Sequence, residues 1–398
     1  MKKRLLILLS ICVFYAAMLL TACTLLKPKL EHPDDYSNFT ITQLGSVSNN
    51  HAAQGTTAYA NHLFICDKYG YCHMYTLTDM EFVDKFALGS MNQAEGPTQN
   101  HSNQMMFGPE KFDDDDPFPL LYITTGYSND HDTTGAYYAK CSVERILYSE
   151  DRGWYGEIVQ TIEFNDEANI PDKNMNGTLS KMYKNGKFLY ASGNDYDEAE
   201  GYQKIGYGWP HFYVDSNPTL ETEDKLYIYS TRFRGTEHWE NEAKKDYGII
   251  DFKENNSYIF TTFEMPDLPD DEEDEDYGKT VTLYPKDILG QFETEFDAYD
   301  FQGGTMRDGR IFHSYGDGKQ EEKHRDAILV FDIANQKKVG KLELHTTKMA
   351  SWEPECCFFY NGKLCVSAYN MNENNKIVNI YSFEFDNTDH KESGHSVL

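Results

Sequence analysis

The sequence predicts an all-β protein, built as a β-propeller of four-stranded blades. Short runs of β-branched and aromatic residues recur along the chain after its N-terminal segment, and turns rich in Gly, Asn and Asp separate them. Long stretches of helical periodicity are absent. A related stretch of about 40 to 50 residues occurs near both ends of the chain, and a repeat of this length is typical of propeller blades.

The two clearest copies of the repeat begin at Gln54-Gly55 and at Gln302-Gly303. Each copy contains four β-rich runs, which we interpret as the inner, second, third and outer strands of one blade. Weaker copies begin near His101, Asn176, Pro218 and Glu353. These starts predict about six blades, or about five if one of the middle segments is an insertion. A pair of β-sandwiches is the structural alternative, but it does not predict the same phrase at opposite ends of the chain.

The N-terminus has the features of an export signal. Met1-Lys2-Lys3-Arg4 is basic, and an apolar run follows from Leu5 to Leu20. The run ends in Leu20-Thr21-Ala22-Cys23, which resembles the lipobox of bacterial lipoproteins. The resemblance implies that residues 1–22 are a signal peptide and that Cys23 receives a lipid. The alternative is an ordinary signal peptide followed by an accidental cysteine.

The predicted domain organisation follows from this anchor. Residues 23–45 comprise the lipidated Cys23 and a flexible tether, residues 46–386 form the propeller, and residues 387–398 are a polar tail. Two acyl chains anchor a protein firmly where one does not. We therefore expect an extracytoplasmic protein, held by the lipid on Cys23 to a bacterial membrane or cell surface.

The chain is strongly acidic, with a formal net charge of −29. This excludes nucleic acid as an expected partner, because binding to phosphates requires a basic surface. Part of the acidity lies in two blocks, Asp113 to Asp116 and Asp270 to Asp276. Both are interpreted as solvated loops. A calcium site in the first block is the alternative, although neither block has the spacing of an EF-hand loop. No other cofactor is predicted.

Cysteines of the mature chain allow two interpretations. Cys66 and Cys72 flank one predicted turn, and Cys357 and Cys365 flank another. Either pair can face each other across a hairpin, and an extracytoplasmic compartment permits disulfides. Free, buried cysteines explain the same pattern equally well.

Some of these phrases also resemble known propellers. The starts at Gln302-Gly303 and Glu353-Pro354-Glu355, with the run from Ile328 to Ile333 between them, resemble TagC-like and phage receptor-binding propellers. The resemblance to NHL or TolB-like propeller lipoproteins is looser. It implies a propeller at the cell surface or in the envelope that acts near glycans. Gln54-Gly55 also resembles the opening of bacterial-type glutaminyl cyclotransferases, but that family's later acidic and tryptophan motif has no counterpart in this sequence.

Polar residues at the predicted blade starts are the candidate site. Equivalent starts converge on the axis of a propeller, where side chains of this kind can hydrogen-bond a sugar or hold a metal. Alternatively, they join the inner strands to one another and hydrate the channel. The candidates are His51, Gln54, His101, Asn103, Gln302, Glu353 and Glu355. The segment from Tyr207 to Tyr213 is a candidate aromatic rim loop that adds Trp209 and His211.

These features favour a membrane-anchored binding protein whose central funnel engages a glycan, a peptide or an envelope partner. The alternative is a metal-assisted hydrolase or lactonase that uses the same funnel, similar to the calcium-dependent esterases with propeller folds. Motifs such as His-Glu-x-x-His and Gly-x-Ser-x-Gly are absent from the sequence. No catalytic residues are therefore assigned, and the choice between enzyme and binding protein stays open.

Overall fold

A computed structural model of the chain describes residues 32–33, 35–48, 53–67, 70–90, 100–127, 139–164, 208–231, 257–284, 287–318, 325–370 and 377–386. The chain divides into two compact units, Met1–His32 and Pro33–Leu398. All the described strands belong to the second unit. Within the described ranges, no helix is long and apolar enough to cross a membrane.

Strands make up nearly all the regular structure of these residues. In chain order they are β1 (Phe39–Ser48), β2 (Ala53–Tyr59), β3 (His62–Asp67), β4 (Tyr71–Thr76), β5 (Phe82–Ala87), β6 (Asn100–Phe107), β7 (Leu121–Tyr127), β8 (Ala139–Ser149), β9 (Gly153–Phe164), β10 (Gly208–Val214), β11 (Lys225–Thr231), β12 (Ser257–Glu264), β13 (Thr280–Leu283), β14 (Gly290–Glu295), β15 (Phe301–Arg307), β16 (Arg310–Tyr315), β17 (Ala327–Asp332), β18 (Lys337–Glu343), β19 (Glu353–Tyr360), β20 (Lys363–Tyr369) and β21 (Ile377–Phe385).

The strands pair in antiparallel groups of four. The groups within the described residues are β2 to β5, β6 to β9, β10 with β11, β12 and β14, β15 to β18, and β19 to β21 with β1. The short strand β13 adds to the second group by pairing in parallel with β9. One parallel pair, Gly303 with Cys356, links β15 to β19.

The first strands of these groups form a ring. β2 contacts β6, β6 contacts β10, β10 contacts β15, β15 contacts β19, and β19 returns to β2. The prediction of an all-β protein is confirmed. The arrangement is consistent with the predicted β-propeller-type fold.

Burial explains why the sequence forms these sheets. The middle strands β3 and β17 are buried almost throughout, and they carry continuous apolar runs such as Leu63 to Cys66 and Ile328 to Phe331. A strand covered on both faces requires such a run. The outer strands β5 and β18 are more exposed and carry charged residues. Apolar side chains from neighbouring groups pack together, as Phe64 of β3 and Phe107 of β6 do in one shared core.

The predicted repeat has mixed outcomes. The copies that begin at Gln54 and Gln302 correspond to β2 to β5 and β15 to β18, and those near His101 and Glu353 coincide with β6 and β19. The start near Pro218 is wrong, because Pro218 lies in the turn between β10 and β11. That group begins instead at Gly208, in β10. Asn176 lies outside the described residues.

The predicted tether is too long. Residues 39–45, which we assigned to it, form most of β1, and β1 pairs with β21 from Phe39–Phe385 to Ser48–Ile377. These residues form a strand because β1 supplies the fourth, outer strand of the group that β19, β20 and β21 begin. The predicted signal peptide (1–22), Cys23 and the tail (387–398) lie outside the described residues.

Both acidic blocks lie in loops with most of their residues exposed, as predicted, and they also share one buried contact. The Arg145 guanidinium donates two hydrogen bonds to Asp116, from Nε to Oδ2 at 2.9 Å and from Nη2 to Oδ1 at 2.6 Å. It also forms an ion pair with Glu272 of the second block. Both Arg145 and Asp116 are buried. A buried guanidinium requires carboxylate partners, so one carboxylate from each block meets on the same cation. Of the first block, where calcium is the alternative, Asp116 is thus paired with Arg145.

The described cysteines are free and buried. Cys66 lies directly opposite Cys72 in the β3–β4 pair, as one predicted pairing requires. Cys357 and Cys365 are one position out of register, because Cys357 faces Val366 and Cys365 faces Phe358.

Candidate functional site

The inner strands share an irregularity at one equivalent place. In β2, the pair Ala53–Asp67 is followed by Thr56–Ile65, so β2 contains one more residue than its partner. The same β-bulge occurs between His101 and Gln104 in β6, Gly208 and His211 in β10, Phe301 and Gly304 in β15, and Pro354 and Cys356 in β19. Bulges redirect side chains and are common next to active sites. The ends of the inner strands are therefore where a site is to be sought.

Most of the predicted site residues fall at these bulges. Those inside a bulge are Gln54, Asn103, Trp209, Gln302 and Glu355. His101 and Glu353 both lie three residues before the first regular pair that follows the bulge. His51 and the side chains of His101, Asn103 and Trp209 lie outside what the structure describes. Whether all these residues form one ring stays a prediction.

The structure brings Gln302 and Glu353 together. The Gln302 amide donates from Nε2 to Glu353 Oε1 at 2.8 Å and to the carbonyl oxygen of Gly316 at 3.0 Å. Both side chains are half-buried, so solvent reaches them. This contact joins the bulge of β15 to the start of β19. It is the nucleus of the candidate site.

Glu353 lies among other carboxylates. Burial and, to a smaller extent, the negative charges of Asp317, Asp326 and Asp300 raise its pKa from 4.5 to about 7, although the Gln302 hydrogen bond lowers it. Glu355, inside the β19 bulge, is 3% exposed. Its pKa is raised well above the usual range, mainly by burial and then by the charge of Glu353. The pair therefore retains protons to unusually high pH.

Asp326, immediately before β17, is also part of this group. It is fully buried, and burial raises its pKa from 3.8 to about 7. Its Oδ1 accepts a hydrogen bond from the Gly318 N–H at 3.2 Å, whereas its buried Oδ2 has no hydrogen-bond partner. Gly316 packs so closely on this carboxylate that a Cβ at that position would overlap it.

Sequence reasoning missed Asp300, Asp317 and Asp326. They lie just before β15, just after β16 and just before β17, at the end of this group where β15 begins. Their positions next to strand ends were a usable signal. In so acidic a chain, however, an Asp beside a strand is common. What distinguishes these three is their effect on the pKa of Glu353, which depends on the fold.

Other polar residues of the inner strands join the strands to one another. Thr124 in β7 donates from its hydroxyl to Gln104 Oε1 at 2.9 Å and accepts from the Phe212 N–H of β10 at 2.9 Å. The Gln54 amide instead donates to the carbonyl oxygen of the adjacent Ala53 at 2.8 Å, within β2 itself. The contacts of Thr124 show the structural role that the sequence analysis gave as the alternative for polar residues of the inner strands.

The predicted aromatic rim loop is wrong. Its residues from Gly208 onward form β10, and His211, Phe212 and Tyr213 are buried in the core. The His211 ring lies edge-on to the His313 ring at 4.9 Å, and Tyr213 hydrogen-bonds to His313 Nδ1. Burial lowers the pKa of His313 well below its usual range, and His211 lowers it further. His211 thus belongs to a buried packing cluster.

A separate cavity of about 1020 Å³ lies beside β12 and β13. Glu110, Asp224 and Asp267 line it together with apolar residues such as Leu268 and Ile288. It contains none of the predicted site residues.

The described residues do not form a metal centre: no group of three or more His, Cys, Asp or Glu side chains among them is arranged to hold a metal ion. The carboxylates around Glu353 influence one another electrostatically, yet they do not converge on one point. The calcium-dependent alternative required three or more oxygen ligands around a common centre, and the described donors do not fit that requirement.

Comparisons with known proteins add little. No family model matches the chain, and no curated protein matches its sequence. Among solved structures, the glutaminyl cyclase of Myxococcus xanthus is similar with a TM-score of 0.38 and 9% identity, over 87% of this chain and 97% of that one. A similarity at this level does not bear on the activity of the chain.

Proposed function

We propose that this chain is a lipid-anchored, extracytoplasmic binding protein with a five-bladed propeller, and that its ligand binds where the bulged ends of β15 and β19 meet. The observation that carries the binding site is the hydrogen bond between Gln302 and Glu353. It joins two residues of neighbouring inner strands at a place that solvent reaches.

The five-bladed count is supported by the inner strands. Each of β2, β6, β10, β15 and β19 starts a four-stranded group and carries the same bulge. Each contacts the next in a closed order. Pairing of β1 with β21 completes the last group with the first of the described strands, which is a means of closing a ring of sheets.

Localisation rests on the sequence alone. The basic start, the apolar run and the residues before Cys23 support export and lipidation. A body on a lipid tether outside the membrane meets glycans, peptides and other envelope components, and these are the proposed ligand sources.

Binding of glycan and peptide arrays to the full-length protein in detergent tests the proposal. Replacement of Gln302 by Ala is expected to weaken binding by about 1 to 3 kcal/mol, the usual penalty when a buried polar group loses its partner. Gln291→Ala is the matched control, because Gln291 is a half-buried glutamine on the outer strand β14. Equal loss in both variants, or no ligand in either array, contradicts the proposal.

A further inference from the structure

We propose that the site at Gln302, Glu353 and Glu355 selects ligands that carry an organic ammonium group, as in an amino sugar or a lysine side chain. This inference rests on the proposed function and names the chemical class of ligand that the site takes.

The first support is a concentration of carboxyl groups that have few hydrogen-bond donors among the described residues. Glu353 has one hydrogen bond, from the uncharged amide of Gln302. The carboxyl group of Glu355 is almost completely buried, and among the described residues no side chain donates to it. A buried carboxylate without a donor or a cation is costly. A ligand that supplies N–H donors and positive charge relieves this cost.

The second support is Asp326. Its side chain is fully buried, and its Oδ2 atom lacks a hydrogen-bond partner although Oδ1 has one. Buried polar atoms are almost always satisfied in native proteins, and an exception calls for a missing group. One short loop joins this side chain to the Gln302–Glu353 contact. Gly316 accepts a hydrogen bond from Gln302 and packs against the Asp326 carboxyl group, and the Gly318 N–H donates to Asp326 Oδ1. The unsatisfied atom thus belongs to the same site.

The arrangement favours an organic cation over a metal ion. A metal ion requires several ligands at short distance from one point, and no such group exists among the described residues. An ammonium group donates up to three hydrogen bonds in separate directions. It can therefore satisfy carboxylates that are spread around it, while the rest of the ligand occupies the solvent-accessible part near Gln302.

Matched ligand pairs test this without altering the protein. Isothermal titration calorimetry of the full-length protein in detergent would compare glucosamine with N-acetylglucosamine, and a lysine tripeptide with its Nε-acetyl form. Acetylation removes the positive charge of the amine and leaves the rest of the ligand unchanged. We expect at least one free amine to bind about tenfold to a hundredfold more tightly than its acetylated partner, as loss of a charged hydrogen bond predicts. The stronger pair identifies the source as a glycan or a peptide.

Substitutions then test whether the preference for the free amine depends on these carboxyl groups. Glu355→Gln should abolish the preference for the free amine, and Glu353→Gln should reduce it, with circular dichroism as the check of folding. Glu384→Gln is the matched control, because Glu384 is an exposed carboxylate on β21 of the same sheet and pairs only with Lys363 at the surface; it should keep the preference.

Several results would overturn the inference. Equal affinity for free and acetylated ligands would do so, as would a preference that persists in both Glu355→Gln and Glu353→Gln, or the absence of binding by any amine. Neutral ligands that bind in a Gln302-dependent manner would leave the proposed function standing while the amine inference falls. If no glycan or peptide binds at all, the proposed function fails as well.

Discussion

Replacing Glu353 by Gln should stabilise the protein above pH 7 and have little effect near pH 4. The pKa of Glu353 is about 7 in the folded chain, against 4.5 without its surroundings. The folded state therefore holds this proton more tightly than the unfolded state does, and the contribution of Glu353 to the free energy of unfolding falls as pH rises from 4.5 to about 7. Glutamine does not titrate, so the variant escapes this loss and can still accept the hydrogen bond from Gln302.

The magnitude follows from the shift. A difference of about 2.5 pKa units corresponds to ~3.4 kcal/mol at 1.36 kcal/mol per unit. Solvent reaches part of the Glu353 side chain and screens its charge, so we expect a gain of about 1 to 2 kcal/mol. The groups that act on Glu353 are the carboxylates of Asp300, Asp317 and Asp326 and the amide of Gln302. Glu355 belongs to the same group, because its own pKa is raised by Glu353.

Urea unfolding followed by tryptophan fluorescence, at several pH values from about 4 to about 8.5, measures the difference. The comparison is between wild type, Glu353→Gln and the exposed control Glu384→Gln. The control should parallel wild type at every pH. A stability difference for Glu353→Gln that does not grow between pH 4.5 and about 7, or a variant that is less stable at high pH, would refute the reasoning.

Three further predictions concern other parts of the molecule. Cys23→Ser should move the protein from the membrane fraction to the soluble fraction. Persistent membrane attachment of the cleaved variant would contradict the predicted lipid anchor. Arg145→Met should lower the free energy of unfolding by about 3 to 5 kcal/mol in urea, because it leaves Asp116 buried and unpaired; a loss below about 1 kcal/mol would mean a solvated pair. The contribution of His313 to the free energy of unfolding should fall as pH drops below 6.5, because the unfolded state then binds a proton that the buried imidazole does not. Replacing His313 with Gln should flatten that acid limb of the urea profile, and an unchanged limb would contradict the assignment.

The sequence predicts much of the fold because propeller strands carry strong local signals. The phrases at Gln54-Gly55 and Gln302-Gly303 mark inner strands correctly, and polar residues there signal the bulged ends. The segment from Tyr207 to Tyr213 is wrongly predicted as a loop, because turn-forming Gly and Pro beside several rings resemble one, whereas Gly208–Val214 is a strand. A bulge accommodates Pro210 within a strand, because the ladder is already interrupted there.

Long-range pairing is what sequence could not show. Arg145 binds Asp116 and Glu272, which are far apart in the chain, and only the packing of the loops brings their carboxylates to one guanidinium. The same holds for Asp326. Its charge affects the pKa of Glu353 only because β15 and β19 are neighbours in the fold. The local sequence pattern predicts the strands, whereas tertiary contacts determine which of the many Asp and Glu side chains take part in buried interactions.

The pairing of β1 with β21 has a consequence for biosynthesis. The ribosome releases β1 early and β21 late, and contacts such as Gln43 Nε2 with Asn379 Oδ1 at 3.2 Å join residues 336 positions apart. Until β21 is synthesised, β1 has no ladder partner, and its free backbone groups are open to wrong pairing. Such non-local closure is slow and leaves nascent chains prone to aggregation. A ribosome that stalls just before Ile377 would release a chain with nearly every sheet formed and a first strand that cannot dock.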